Sequence, residues 1–270
     1  MNKQRKILIS FDVEEFDLPL EHNQYIDPEE QMMTGKKGLD ATMQVLDQHN
    51  TSCTFFTTAH FAQAFPLATK EISGRHEIAS HAFYHSAFEP GHLLTSKLVL
   101  EKITGKPIHG LRMPRMKPIE MKEVIAAGYT YDSSINPSFI PGRYNNFHLP
   151  RTLYLEDGML RLPVSVSPHL RIPIFWLTFK NFPYPLFKML AMQTLKKDGY
   201  LCMYFHPWEF TDLSAYRIPF YTKTKYGNQL QEKMHRLIHD LLKEGDCITI
   251  NQYLTELNRN EVLSITKQTK

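Results

Sequence analysis

Short β-rich runs alternate with longer helical patterns along this chain, and that alternation restricts it to βα units around a mainly parallel sheet or barrel. The spacing predicts strands at 6–11, 53–57, 77–80, 109–112, 130–132, 201–205 and 247–250. It predicts helices near 37–48, 91–104, 118–127, 186–197 and 228–243, the first carried by Leu39, Met43 and Leu46. Gly105, Gly128, Gly199 and Gly245 each follow a helical pattern, where a left-handed C-cap is expected. No internal repeat interrupts the series. The 270 residues are enough for a full core, and the reading is one domain over 1–258. The tail at 259–270 lacks a core-forming pattern and is expected to be poorly ordered.

A net charge of +3 with no Lys/Arg-rich run gives no footprint for nucleic acid, so none is expected as a partner. Cys53, Cys202 and Cys247 sit far apart in apolar runs and read as buried free thiols in a reducing compartment. The basic start leads straight into Ile7-Leu8-Ile9, an apolar run too short for a signal peptide, and no span reaches transmembrane length. A cytoplasmic location is expected, with peripheral contact at the inner face of the membrane left open.

The predicted strand ends collect the ionisable side chains. Asp12, His81, Arg112, Asp132 and His206 each close a strand, and the carboxyl ends of parallel strands form the face where sites are built. His81 and His85 stand four residues apart after the third strand, and one short loop can aim two imidazoles at one ion. Spacing alone does not decide this. His235 and His239 are also four apart, but they flank Met234, Leu237, Ile238 and Leu241 in a helical pattern and read as a solvated helix edge. Asp12 and Glu14 share one side of an extended chain, so both can face one ion, whereas Glu15 and Asp17 read as a solvated loop. Asp12, flush against a buried strand, needs a cation or a donor. Arg112 at a strand's inner end suits a carboxylate clamp. Asp132 reads as an orienting acid or as part of a capped turn, and His76 as structural or at the surface. His206, followed by Trp208, is a site residue beside an aromatic wall or a core histidine.

Read in order, these segments resemble the polysaccharide deacetylase family, the NodB-homology or carbohydrate esterase family 4 group, over roughly residues 6–255. Ser10-Phe11-Asp12 is similar to its first motif, and Glu77 to His85 to its His-xxx-His metal motif. Leu111-Arg112-Met113-Pro114 resembles the Arg-x-Pro motif, Tyr131-Asp132-Ser133-Ser134 the Asp-Ser-Ser segment, and Phe205-His206-Pro207 the closing Leu-His motif. The resemblance implies a distorted (β/α) barrel of about seven strands that binds one divalent metal, most often zinc, with cobalt, nickel and manganese as alternatives. It implies hydrolysis of an N-acyl group, acetyl or formyl, from an amino-sugar glycan or precursor. The usual first motif has two adjacent aspartates, but here Val13 follows Asp12, and Asp-x-Glu resembles a branch in which Glu14 takes the ligand position. On that pattern Glu14, His81 and His85 hold the metal, Asp12 is the base, Arg112 keeps it ionised, and His206, aimed by Asp132, is the acid. Trp208, Pro114 and Tyr131 are the substrate-contact candidates.

The segment 168–187 is rich in aromatics and prolines and reads as barrel core, as a wall for a bulky substrate, or as a membrane-contact surface beside Arg171, Lys180 and Lys188. The last reading suits a precursor carried on a polyprenyl lipid. Two alternatives accompany the deacetylase expectation: an inactive sugar-binding module of the same fold, and an amidohydrolase acting on a cyclic imide or ureide.

Overall fold

The computed structural model describes residues 5–257; the tail expected at 259–270 lies outside the described residues. Eleven strands form: β1 (Arg5–Val13), β2 (Thr54–Thr57), β3 (Glu77–Ser80), β4 (Gly110–Leu111), β5 (Tyr131–Asp132), β6 (Phe139–Ile140), β7 (Tyr144–Asn145), β8 (Tyr154–Glu156), β9 (Met159–Arg161), β10 (Tyr200–Phe205) and β11 (Gly245–Cys247). One curled sheet runs β10-β1-β2-β3-β4-β5-β9-β8, with β11 also paired to β1, and β6 and β7 form a separate hairpin. Every pairing in that path is parallel except β8 with β9. Ladder pairing does not close the barrel. Instead the chain after β9 crosses the gap, where Ser165 donates its N–H to the Cys202 carbonyl at 2.8 Å and accepts the Cys202 N–H on its hydroxyl at 2.9 Å.

Helices α1 (Pro28–Asp47), α2 (Ala59–Ala64), α3 (Pro66–Ile72), α4 (His92–Thr104), α5 (Met121–Ala126), α6 (Trp176–Asn181), α7 (Tyr184–Asp198), α8 (Gly227–Leu241) and α9 (Ile250–Glu256) complete the fold. None of them is long and apolar enough to cross a membrane. The two-residue period of β1 separates two layers. Ile7, Ile9, Phe11 and Val13 join the helix residues Leu39, Phe61, Leu93, Leu190 and Leu237 in one core. Leu8 packs inside the curl with Phe56, Ala79, Tyr131 and Cys202. Each fully buried aliphatic or aromatic side chain contributes roughly 1.5–3 kcal/mol, so this sandwiching fixes the β1 register. That register carries the polar residues Ser10 and Asp12 to the inner face.

The structure departs from the sequence expectation where local signals compete. The sheet has nine strands, since β8 and β9 were not foreseen. They form a hairpin whose turn, Asp157-Gly158, has φ of 49° and 89° at its two residues, as a type I′ turn requires. That dipeptide between apolar residues was the available signal. Helix α1 begins at Pro28, well before residue 37, because Asp27 caps it by accepting the Glu29 N–H at 2.9 Å and proline fits its first turn. The strand expected at 247–250 is β11 at 245–247, because Thr249 caps α9 through the Gln252 N–H. Gly105, Gly128 and Gly199 do take positive φ. Gly245 does not: a Cβ there would lie 2.3 Å from the Arg5 carbonyl oxygen, so glycine is what lets β11 pair with β1.

His76, at the entry to β3, is structural. Its Nδ1 accepts the Cys53 N–H at 3.2 Å, and burial lowers its pKa to about 4. Between that value and the ordinary one near 6.5 the unfolded chain binds the extra proton, so stability falls as pH drops through this window. His76→Asn keeps an acceptor and removes the proton site. Urea unfolding across pH 7 to 4 should therefore show wild type losing stability relative to the variant, by up to about 3 kcal/mol; parallel curves would contradict this account.

Candidate metal centre

Arg112, fully buried at the end of β4, sets the floor of the site. Its guanidinium donates to Asp12 Oδ1 at 2.7 Å and to Ser10 Oγ at 2.9 Å. It also donates to the Ser133 carbonyl and hydroxyl, both at 3.0 Å. The Phe56 ring lies 4.1 Å from its central carbon and Tyr204 lies 5.2 Å away. A buried carboxylate fixed by such a clamp keeps its direction.

Above this floor three ligand atoms converge. Glu14 Oε2 lies 3.1 Å from His81 Nε2 and 3.2 Å from His85 Nε2, and Glu14, His81 and His85 are the one metal-competent cluster among the described residues. Ligand bonds of about 2.0–2.1 Å in a tetrahedral site give a ligand–ligand edge of roughly 3.3 Å, so these spacings suit one ion. Both histidines are oriented through the other ring nitrogen. His81 Nδ1–H donates to the Arg112 carbonyl at 2.8 Å and His85 Nδ1–H to Asp17 Oδ1 at 2.7 Å. That arrangement leaves Nε2 of each for a metal. Burial alone would raise the Glu14 pKa, but His85, His81 and His206 outweigh it and hold the carboxyl below its usual range. For His85 burial opposes protonation, yet Glu14 and Asp17 push its pKa up to about 9. The loop between the histidines passes through Ala82 in a left-handed conformation (φ 58°), held by the Ala59 N–H bonding to the Ala82 carbonyl at 3.1 Å.

Two acids expected to be solvated are in fact buried and employed. Asp17 supports His85 and pairs with Arg115 at 3.0 Å; Arg115 in turn reaches Glu21 at 2.7 Å. Glu15 turns away to accept from Thr58 at 2.9 Å and to meet His60 at 2.7 Å. Glu14 is the loop acid that meets the Nε2 atoms of both histidines.

His206 shares the cleft with Asp12, Glu14, His81 and His85, but Asp132 is not the acid that aims it. Asp132 is held at 2.8 Å by Arg161, its neighbour across β5 and β9, and also accepts from Ser134. The partner of His206 is Glu209, whose Oε1 accepts the ring Nδ1–H at 3.1 Å and the backbone N–H at 2.8 Å. Its position three residues on, in a single turn opened by Pro207, is a capping-box spacing that sequence reading could have used. Tyr131 likewise does not line the cleft. Its hydroxyl donates to Glu77 at 2.7 Å, at the far end of β3, and its ring packs within the curl. Pro114 is buried, and Arg115 and Met116, which follow it, line the cleft instead.

The cleft holds about 440 Å³. Trp176, Phe175 and Leu177 form one wall, and Met116, Ile140 and Tyr144 lie among its other lining residues. The aromatic segment is thus divided, with Phe179 and Phe187 in the core. Trp208 lines the cleft as expected and also donates its indole N–H to Glu14 Oε1 at 3.1 Å. His206 lies against both indoles, stacked on Trp208 at 4.9 Å and edge-on to Trp176 at 5.0 Å.

Comparison with known proteins bears on the fold. A family model described as a domain of unknown function (DUF3473) matches residues 133–255. No curated protein matches the chain by sequence. Among solved structures, a Pseudomonas aeruginosa PAO1 protein described as a polysaccharide deacetylase is 15% identical with a TM-score of 0.64, covering 96% of this chain and 89% of its own. The allantoinase Puue is 15% identical with a TM-score of 0.63, covering 97% and 90%. A Mycobacterium smegmatis protein, also described as a polysaccharide deacetylase, is 18% identical with a TM-score of 0.61, covering 99% and 92%. At such identities the likeness is one of fold, a mixed α/β architecture with a curled sheet.

Helix α1 holds the site from behind through two glycines. A Cβ on Gly38 would lie 2.1 Å from the Pro207 carbonyl oxygen, and one on Gly35 2.6 Å from that of Glu14. Glycine inside a helix normally costs about 1 kcal/mol relative to alanine. Gly38→Ala should invert that rule, lowering the melting temperature by several degrees and changing tryptophan emission as the Trp208 turn shifts. A more stable variant with unchanged emission would mean that α1 and the turn are not in contact.

Proposed function

We propose that the chain is a metal-dependent hydrolase that removes an N-acyl group, acetyl or formyl, from an amino-sugar glycan or its precursor. The observation that carries this reading is the convergence of Glu14 Oε2, His81 Nε2 and His85 Nε2 in one cleft with Asp12 and His206. The donor set of two imidazoles and a carboxylate suits zinc best, with cobalt, nickel or manganese as alternatives. When bound, such an ion polarises the scissile carbonyl and acidifies water. Asp12, aimed by Arg112 at 2.7 Å, accepts the proton as water adds to the acyl carbon. His206, held by Glu209, gives a proton to the departing amine. Burial works against the charged imidazole, but Glu209, Glu14 and Asp12 outweigh it and raise the His206 pKa, as an acid working near neutrality needs. Trp176 and the neighbouring aromatics offer the flat apolar faces that sugar rings pack against. The likeness to an allantoinase favours a second reading within the same chemistry, hydrolysis of a cyclic imide or ureide.

The test is metal content by elemental analysis, followed by acetate and formate release from N-acylated glycans with and without chelator, beside a panel of cyclic amides. The expected result is about one ion per chain and chelator-sensitive release from the glycan. His81→Ala, His85→Ala and Glu14→Ala should lose the ion while remaining folded. Asp12→Asn should keep it and lose turnover by on the order of 10²–10⁴. Opening of the cyclic amides alone would establish the second reading. A chain that takes up no ion even after reconstitution would be a sugar-binding module of the same fold.

A further inference from the structure

Behind His206, on the side away from the cleft, two fully buried opposite charges face each other. Lys180 Nζ, from α6, lies 3.4 Å from Glu209 Oε2, and both side chains are 0% exposed. Neither atom has a hydrogen-bond partner among the described residues, and neither residue lines the cleft. Glu209 thus divides its oxygens: Oε1 takes both N–H groups of His206, and Oε2 is left to the lysine. Trp176, one turn before Lys180, places its ring 5.9 Å from the ammonium and 5.0 Å from the His206 ring.

Stability does not explain this pair. Withdrawing a carboxylate and an ammonium from water costs several kcal/mol per ion, and well-packed apolar replacements are often neutral or better. A buried pair lying directly behind a site imidazole calls for a role at that imidazole. We propose that Lys180 is a positioning residue for His206: its charge keeps Glu209 ionised in a dry pocket, and ionised Glu209 fixes His206 with Nδ1–H bound and Nε2 toward the cleft. Without the lysine, Glu209 Oε2 would be a fully buried oxygen with no cation opposite it, an arrangement that costs several kcal/mol. The imidazole would then lose its anion and hold its proton less tightly. The inference rests on the reading of His206 as the acid.

The charged groups around His206 are Glu209 in its own turn, Asp12 from β1, Glu14 just beyond it, and Lys180 behind Glu209. Trp208, Trp176 and Tyr204 fill the remaining contacts. Glu209→Gln keeps an oxygen for the N–H groups of His206 and removes only charge. It should move the basic limb of kcat/KM for acyl release down by about one pH unit, roughly tenfold in rate above the limb, with KM little changed. Lys180→Met should move the limb in the same direction. The double variant should shift it no further, because both changes remove one ionised acceptor. If Lys180→Met fails to fold, the charge-matched double variant carries the test against Glu209→Gln alone. An unmoved limb, an upward shift in Lys180→Met, or additive shifts would overturn the proposal. NMR titration of the His206 ring in the same purified variants needs no substrate. A downward shift there without any acyl release would uphold the relay and discard the hydrolase reading, whereas an unshifted ring would discard the relay whatever the activity.

Discussion

The Arg112 guanidinium is the contact on which the rest of the site depends. Its N–H groups make four hydrogen bonds, to Ser10 and Asp12 on β1 and to the carbonyl and hydroxyl of Ser133 just beyond β5. Its backbone completes the set: the Arg112 N–H donates to the Ser80 carbonyl at 2.9 Å, and its carbonyl receives His81. One residue therefore ties together the ends of β1, β3, β4 and β5, the candidate base and a candidate ligand. Removing the Asp12 carboxylate would leave the fully buried Arg112 charge without its anion, a loss of about 3–5 kcal/mol. A lysine offers a point charge without the planar fork and could not make these bonds together.

From this keystone the supports spread outward by charge. Glu14 faces both histidines; His85 leans on Asp17, Asp17 on Arg115, Arg115 on Glu21, and Glu21 on Arg143 in the β6–β7 turn at the cleft mouth. The order matters physically. Solvent exposure rises along the series, from the buried Glu14 to the half-exposed Arg143, so coupling is strong at the ligands and is screened at the rim. A change of rim charge should be felt at the mouth far more than at the ligands.

Much of this was legible in the sequence because it follows from strand period and strand ends. The apolar alternation of β1 fixed which side Asp12 takes, and the positions of His81, Arg112 and His206 at the ends of β3, β4 and β10 put them on one face. What stayed hidden was the choice among acids. Asp132 ends β5 and Glu209 follows β10; tertiary packing decides that Arg161 claims the first, while the local turn at Pro207, whose capping-box spacing went unused, folds the second back onto His206. Asp17 looked solvated because nothing local shows Arg115 arriving from the far side of the sheet. Lys180 read as a cation beside a membrane-contact surface and is instead fully buried, since a helix pattern cannot say that a lysine points inward to meet a distant acid.

The valine after Asp12 finds its explanation in the same strand geometry. β1 remains extended through Val13, so residues 12 and 13 project to opposite faces. Val13 lies in the layer shared with the helices, among Phe11, Phe55 and Phe61. A carboxylate at that position would be buried among rings with no cation in reach. The next inward position is 14, one two-residue step farther along the chain. From there Glu14 Oε2 lies within 3.2 Å of both imidazole nitrogens while Oε1 is held by the Trp208 indole N–H. Extended backbone to the end of β1 and a candidate ligand two residues past the candidate base are one geometric requirement, and Gly35, passing directly behind the Glu14 carbonyl, is the space that helix α1 leaves for it.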